Sequence, residues 1–291
     1  MKRAARLRSL WSWLPDFRAV AETQHLPTAS EVLHVSASSL SRTIRLLEDD
    51  VGRPLFDRVG RQLVLNEAGH TLLAAVRDAM RRVDDALEQL GPGRLVGAVT
   101  ISVAGPYAAI FVLPALERLA VEHEGLVPRL VALPDDVVPA ALDRGQVDIA
   151  LLEAPTASPS VALEPLVELR HGVFCAPDHP LAERPRPRAD ELAEFPFAVP
   201  TPLPGGRVPD GWPVERPRRI GVVVQEMQVA IDACASGGFL AVLPEPVGER
   251  AGLCPLQVRG IATSTLYLAH RTTLDPEGRI EAVLGALRAA R

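Results

Sequence analysis

Ser36, Ser38, Ser39 and Ser41 crowd one short stretch, and Arg42, Arg45, Arg53, Arg58 and Arg61 follow them closely. Hydroxyls at the start of a helix can bond phosphate or base edges. Guanidinium groups can hold phosphate or make the two-pronged contact to guanine. That is chemistry for recognising nucleic acid rather than for bond-making. The seven histidines are scattered, with no His-x-x-x-His pair to hold a metal. There is no G-x-S-x-G elbow and no G-x-x-x-x-G-K-[ST] phosphate loop. Ser236-Gly237-Gly238 reads as a tight turn between a helix and an apolar strand, and Cys175 as a small core residue in a strand. The cysteines Cys175, Cys234 and Cys254 are odd in number and far apart, which suits reduced thiols and frames no metal site. The expectation is a non-enzyme without cofactor.

The serines and arginines need elements to present them. Before them, "LPDFRAVAET" carries Leu14, Phe17 and Val20/Ala21 at helical spacing. "TASEVLH" predicts a second short helix, with Thr28 as N-cap and Glu31 three residues on. A third helix starts at Ser36 as N-cap, with Val35 and Leu40 placed as a hydrophobic staple. Its apolar stripe is Leu40, Ile44 and Leu47; Ser38, Ser41, Arg42 and Arg45 take the other side. "RPLFDRVGRQLVL" then reads as two short strands turning at Val59-Gly60, with Arg58 and Arg61 flanking the turn as a basic wing. Helix, tight turn and basic second helix is the layout of a helix-turn-helix.

From Asn66 to Leu90 the apolar residues Leu73, Val76, Met80, Val83, Leu87 and Leu90 fall three and four apart, a heptad seam with charges on most other faces. Leu73, Val76, Met80, Val83 and Leu87 are therefore the expected dimerisation positions, and "GPG" at 91–93 ends the helix. Beyond about residue 95, strands alternate with helices, which predicts a mostly parallel α/β architecture. Asp275-Pro276 is read as opening a last helix, and the proline-dense stretch 185–217 as long ordered loops.

Charge divides along the same lines. The chain carries −5 overall, yet residues 1–66 hold ten Lys/Arg against seven Asp/Glu, so the acidity belongs to the later part. No run of eighteen apolar residues appears, which predicts no membrane span. The basic beginning "MKRAARLRSLWSWLP" has no sustained apolar stretch and no small-residue cleavage site, so a cytoplasmic location is expected.

At these residues the chain resembles the LysR-type transcriptional regulators. The likeness rests on F-x-x-V-A-E-T, A-S-E-V-L-H-V-S, S-L-S-R-T-I-R-x-L-E, G-R-P-L-F-D-R-V-G-R and L-N-E-A-G, in order, over residues 14–69. "VDIAL", "APDHPLA" and "SGGFLAVLP" extend it more weakly through the rest. There are departures. Gln24-His25-Leu26-Pro27 stands where a Gly-Ser-Phe-Thr-like stretch is common, and Ala37-Ser38 where Gln, often followed by Pro, is usual. Ala37 cannot make glutamine's paired bonds to adenine, so base preference is expected to differ while phosphate anchoring survives.

The resemblance implies a mainly α N-terminal winged helix-turn-helix (14–65) and a long linker helix (66–93). An α/β effector domain of two periplasmic-binding-protein-like subdomains (94–165 with 265–291, and 166–264) follows. Residues 1–13 stand as an N-terminal extension, an added arm or an unstructured start. The DNA surface it implies is Ser36, Ala37, Ser38, Ser39, Ser41, Arg42, Arg45, Arg53, Arg58 and Arg61. Ligands in such folds lie beyond the carboxyl ends of strands. The cleft rim is thus Ser102, Gly105, Pro106, Pro134, Asp135, Glu153, Thr201 and Pro202. Ser102 and Thr201 suit a carboxylate; Asp135 and Glu153 suit a cation. Implied partners are promoter DNA with an interrupted dyad, a small-molecule effector, a second copy in a dimer or tetramer, and RNA polymerase. The alternatives are a solute-binding receptor without a DNA role, and an enzyme using the cleft.

Overall fold

The structure is a computed structural model that describes residues 2–59, 62–89, 95–184, 186–203, 205–272 and 278–290. The chain forms two compact units, the first made mainly of the residues up to 93. In that unit the elements are α1 (Lys2–Thr23), α2 (Leu26–Leu33), α3 (Ala37–Val51), β1 (Phe56–Val59), β2 (Gln62–Leu65) and α4 (Glu67–Gln89). Phe17, Val20 and Ala21 from α1, Ala29 from α2, Leu40, Ile44 and Leu47 from α3, and Phe56 and Leu65 from the hairpin close one core. Phe17 and Phe56 meet edge to face, ring centroids 5.8 Å apart.

Three local expectations differ from the structure. Helix α1 begins at Lys2 and runs through Pro15, so residues 2–13 are the first half of a helix and not a separate arm or an unstructured start. Arg6 explains the attachment: its Nε donates to the Asp50 carboxylate at 2.9 Å and its Nη2 to the Asp50 carbonyl at 3.2 Å, at the end of α3. Thr28 is inside α2 and not its N-cap. Pro27 fits the first turn, where a missing N–H costs nothing, and so starts the helix earlier, with His25 as the N-cap residue. The His25 ring instead meets the Thr28 hydroxyl at 2.8 Å. Val35 is exposed, so the staple it was placed to make is absent.

The second unit holds two five-stranded sheets. Its elements are β3 (Gly97–Ser102), α5 (Gly105–Tyr107), a π-helical turn (Ala108–Val112), α6 (Leu113–Glu122), β4 (Leu126–Val131), α7 (Val138–Asp143), β5 (Ile149–Leu152) and β6 (Val161–Leu169). Then come β7 (His171–Cys175), α8 (Ala189–Ala193), β8 (Pro196–Pro200), β9 (Arg219–Val224), α9 (Met227–Ala235), β10 (Leu240–Pro244), α10 (Glu245–Arg250), β11 (Cys254–Leu256), β12 (Ser264–Arg271) and α11 (Arg279–Ala289). Asp275-Pro276 lies outside the described residues.

One sheet has the order β4-β3-β5-β12-β6 and the other β11-β7-β10-β8-β9. Each is mixed rather than mostly parallel. In the first, β4, β3 and β5 are parallel and β12 runs against both β5 and β6. In the second, β10, β8 and β9 are parallel and β7 runs against both β10 and β11. The antiparallel strands are those beside the passages between sheets. The chain crosses at Arg170 and returns over residues 257–263, and a strand that enters from the other subdomain arrives pointing the other way. The parallel strands β3, β4 and β5 thus share one carboxyl end in the first sheet, and β8, β9 and β10 share one in the second.

Candidate functional site

Ser36 caps α3 as expected: its backbone is extended (φ −72°, ψ 146°) and its Oγ accepts from the Ser39 N–H at 3.2 Å. The Ser38 hydroxyl lies 3.0 Å from the same oxygen. First-turn amides of a helix lack intrahelical partners, so this end favours an anion such as phosphate. Leu40, Ile44 and Leu47 face the core, which turns Ser38, Arg42 and Arg45 outward, with Ser39 also exposed and Ala37 and Ser41 half-buried. Neither Arg42 nor Arg45 has an ion pair among the described residues, and neither does the exposed Arg53. The turn leading into α3 is tight. His34 takes a left-handed conformation (φ 55°), and the Ser30 hydroxyl bonds the Val35 carbonyl.

The wing follows. β1 and β2 pair antiparallel, with Arg58 opposite Leu63; Arg61 lies outside the described residues. Two side chains that the sequence reading left without a role hold the wing to the helices. Glu48, on α3, accepts from the N–H of Leu55 at 2.8 Å and of Phe56 at 3.4 Å. Asn66 caps α4 by accepting from the Gly69 N–H at 2.9 Å and donates to the Pro54 carbonyl at 3.0 Å. A Cβ on Gly69 would sit 2.1 Å from the Leu55 carbonyl, so only glycine fits there. Asn directly before a helical run was the readable signal for the second of these.

In the second unit, Glu153 gathers a cluster after β5. Tyr107 and Ser264 both donate to its carboxylate, Ser264 at 2.6 Å, and His171 Nε2 stands 3.8 Å away. Asp135 accepts from the Ala154 N–H at 3.0 Å, and its burial pushes its pKa above the usual carboxylate range. Burial and the Glu153 charge likewise raise the Tyr107 phenol, so it stays a donor. The π turn directly after Tyr107 has a local cause. Pro114 has no N–H for the carbonyl of Ile110, and the helix widens there.

The remaining rim positions divide. Ser102 is buried and its Oγ accepts from the Leu133 N–H at 3.3 Å, a structural bond. Gly105 and the buried Pro106 open α5. The Pro134 carbonyl accepts from Val137 at 2.9 Å, closing a turn. Thr201 and Pro202 are exposed after β8, where the Thr201 N–H donates to the Val224 carbonyl at 3.1 Å. The structure brings Asp135 and Glu153 together and adds Tyr107, Ser264 and His171, which sequence reasoning missed.

Two family models match: the bacterial regulatory helix-turn-helix protein, lysR family, over residues 11–70, and the LysR substrate binding domain over residues 92–291. The chain belongs to the LysR family. It is 28% identical to the HTH-type transcriptional activator IlvY of Salmonella typhimurium over 82% of this chain and 83% of that one. It is 32% identical to a RuBisCO operon transcriptional regulator of Allochromatium vinosum, a match over 63% of this chain that spans 61% of that relative's length. Its fold matches the crystal structure of ArgP from Mycobacterium tuberculosis, with TM-score 0.70 at 20% identity over 96% of each chain.

In this LysR-family chain, α4 is divided by burial. Leu73 and Val76 are 3% and 2% exposed, buried in the core of their own unit, so they are not dimerisation positions as the heptad reading had them. The longer α1 supplies the cover: Leu10, Trp13 and Leu14 pack on the same cluster. Met80 is half-buried there and takes a contact from Arg18 at 3.7 Å. Val83 and Leu87 remain 44% and 61% exposed. The cysteine thiols Cys175 and Cys234 are buried, with pKa values pushed up to about 11 and about 12, which keeps them protonated and unreactive. Among the described residues no group of three or more His, Cys, Asp or Glu could hold a metal, and no helix is long and apolar enough to cross a membrane.

Proposed function

We propose that this LysR-family chain regulates transcription by binding promoter DNA through α3, under control of a small molecule held at the strand ends of the second unit. The observation that carries the reading is the outward face of α3. Arg42 and Arg45 stand exposed and without an ion pair among the described residues, on the helix whose N-terminus is exposed and capped by Ser36, a surface suited to phosphate. The chain acts by binding and not by turnover, in the cytoplasm. Ser36, Ser38, Ser39 and Ser41 approach the duplex with the arginines. Ala37 presents only a methyl, which suits a thymine methyl and not adenine.

Self-association supplies the second half-site of an interrupted dyad. Leu7 and Trp11 on α1 and Val83 and Leu87 on α4 are apolar and exposed, which supports pairing of the first unit. In the second unit, the edge strands β4 and β9 expose Val127 and Leu130, and Ile220 and Val223, which supports a second contact and with it dimers or dimers of dimers. The effector sits among Gly105, Pro106, Asp135, Glu153, Thr201 and Pro202. Its acceptor group faces the first turn of the helical segment that begins at Gly105, and its donor group faces Asp135. It changes regulation only by binding one assembly state better than another, and through that the DNA geometry seen by RNA polymerase.

Footprinting of the DNA flanking the chain's own coding sequence tests this. Two protected patches, spaced by about one helical turn or a multiple of it and altered by a metabolite, are the expected result. Absence of protection on any duplex would overturn it.

A further inference from the structure

We infer that the second unit carries an additional site, for a small organic anion, at the β11 edge of its second sheet and apart from the strand-end cleft. The pairing of β11 with β7 ends at Leu256 opposite Val173, so Gly172 and His171, paired with β10 on their other side, have no strand neighbour on this side, and a groove of about 700 Å³ opens beside them. Arg186, Arg216 and Arg259 reach it from three separate loops. Arg186 Nε donates to Gln257 Oε1 at 2.7 Å, beside Arg259. The Arg216 guanidinium lies over the Trp212 ring, 5.4 Å from its centroid, and 3.7 Å from where a Cβ on Gly260 would stand. Both side chains are thus drawn to the 257–260 loop, and none of the three arginines has a carboxylate partner among the described residues. Arg218 shows the contrast: it stacks on the same ring but is paired with the Asp210 carboxylate by two bonds, at 2.6 and 3.0 Å.

His171 is the second, independent sign of a ligand. Its side chain is 6% exposed, it borders the groove, and its Nδ1 is buried with no hydrogen-bond partner. A buried ring nitrogen left unmatched costs free energy that an acceptor in the groove would recover. Leu192, Pro255, Leu256 and Val258 give the groove an apolar lining. Glu245 and Glu249 on α10 also border it, on the side of the sheet where Val247 and Phe174 share a core, whereas Leu192 and Trp212 belong to the core of the other face. The anionic head therefore belongs at the arginine side, with a neutral apolar body leading away. Guanidinium forks match either a carboxylate or a phosphate head.

The site has a consequence for the cleft. An anion that accepts from Nδ1–H would fix the orientation of the His171 ring, whose Nε2 faces the Glu153 carboxylate bonded by Tyr107 and Ser264. Occupancy of the groove is thereby transmitted to the strand-end cluster. The β11 edge is the opposite edge of the sheet from β9, so the groove stays open when β9 is covered. None of this depends on the DNA role of α3.

The test is fluorine NMR on the full chain labelled with fluorotryptophan, which reports Trp11, Trp13 and Trp212 as separate signals. Hexanoate and phenyl phosphate serve as probes, one for each head group. The site predicts that at least one probe moves the Trp212 signal saturably and leaves Trp11 and Trp13 in place. Arg259→Gln and Arg216→Gln should each weaken that probe at least about tenfold with the melting temperature unchanged. Trp212 signals that do not saturate with either probe, or equal affinity in both variants, would overturn the site.

Discussion

Glu48 on α3 accepts the main-chain N–H of Leu55 at 2.8 Å, so the helix that carries Arg42 and Arg45 also holds the start of the wing. The wing is thereby fixed to the same body as the serines and arginines of α3, and a duplex would meet them as one surface.

Replacing Glu48 with Ala leaves the Leu55 and Phe56 amides without their shared acceptor. Partly buried donors lost in this way cost about 1–3 kcal/mol. Urea unfolding should show the midpoint falling for Glu48→Ala and falling less for Glu48→Gln, which keeps a carbonyl in place. Equal stability of Glu48→Ala and the parent would remove the tie.

Helix α4 is split by burial, and its two halves should answer differently. Leu73→Ala deletes buried methyls and should destabilise by about 2–5 kcal/mol. Leu87→Asp alters an exposed position, so it should leave the melting temperature unchanged while sedimentation shows smaller assemblies. A Leu87→Asp chain that keeps the parent's sedimenting mass would show that this end of α4 takes no part in association.

Glu164 carries an acid signature. Hydrogen bonding from Arg288, at 2.9 and 3.0 Å, and then from His270, holds its pKa down to about 2 from an ordinary 4.5. A depressed carboxyl contributes stability that is fully present above its unfolded pKa and is lost as the pH falls through the folded one. The loss should therefore fall between about pH 4.5 and about pH 2. Arg288→Gln should flatten that limb of a stability-versus-pH curve; an unaltered limb would assign it to other groups.

Tyr107 and Ser264 both donate to Glu153. Tyr107→Phe and Ser264→Ala should each destabilise by about 1–3 kcal/mol, as for bonds to a charged group. The double variant should depart from the sum of the two, because they share one carboxylate. Strict additivity in chemical denaturation would mean that the cluster does not act as a unit.

Much of the first unit was readable because its signals are local. The stripe Leu40, Ile44 and Leu47, the cap at Ser36 and the strand pieces around Val59 each depend on residues a few positions apart. What escaped depends on distant partners. The true start of α1 is tied down by Arg6 and Asp50, 44 positions apart, and the Glu153 cluster needs Ser264, 111 positions from it. The heptad on α4 had the right period, but period alone does not say whether a seam faces α1 or a second chain. The mixed sheets escaped because strand direction is decided by the crossings at Arg170 and at 257–263, which no local pattern encodes.

The most direct measurement is the salt dependence of duplex binding by the parent chain, Arg42→Ala and Arg45→Ala, followed by fluorescence anisotropy. If these side chains meet phosphate, each variant should bind specific and scrambled duplexes more weakly by a similar factor. The slope of log affinity against log salt should drop by about one. Unchanged affinity and unchanged slope in both variants would contradict the placement of α3 against DNA.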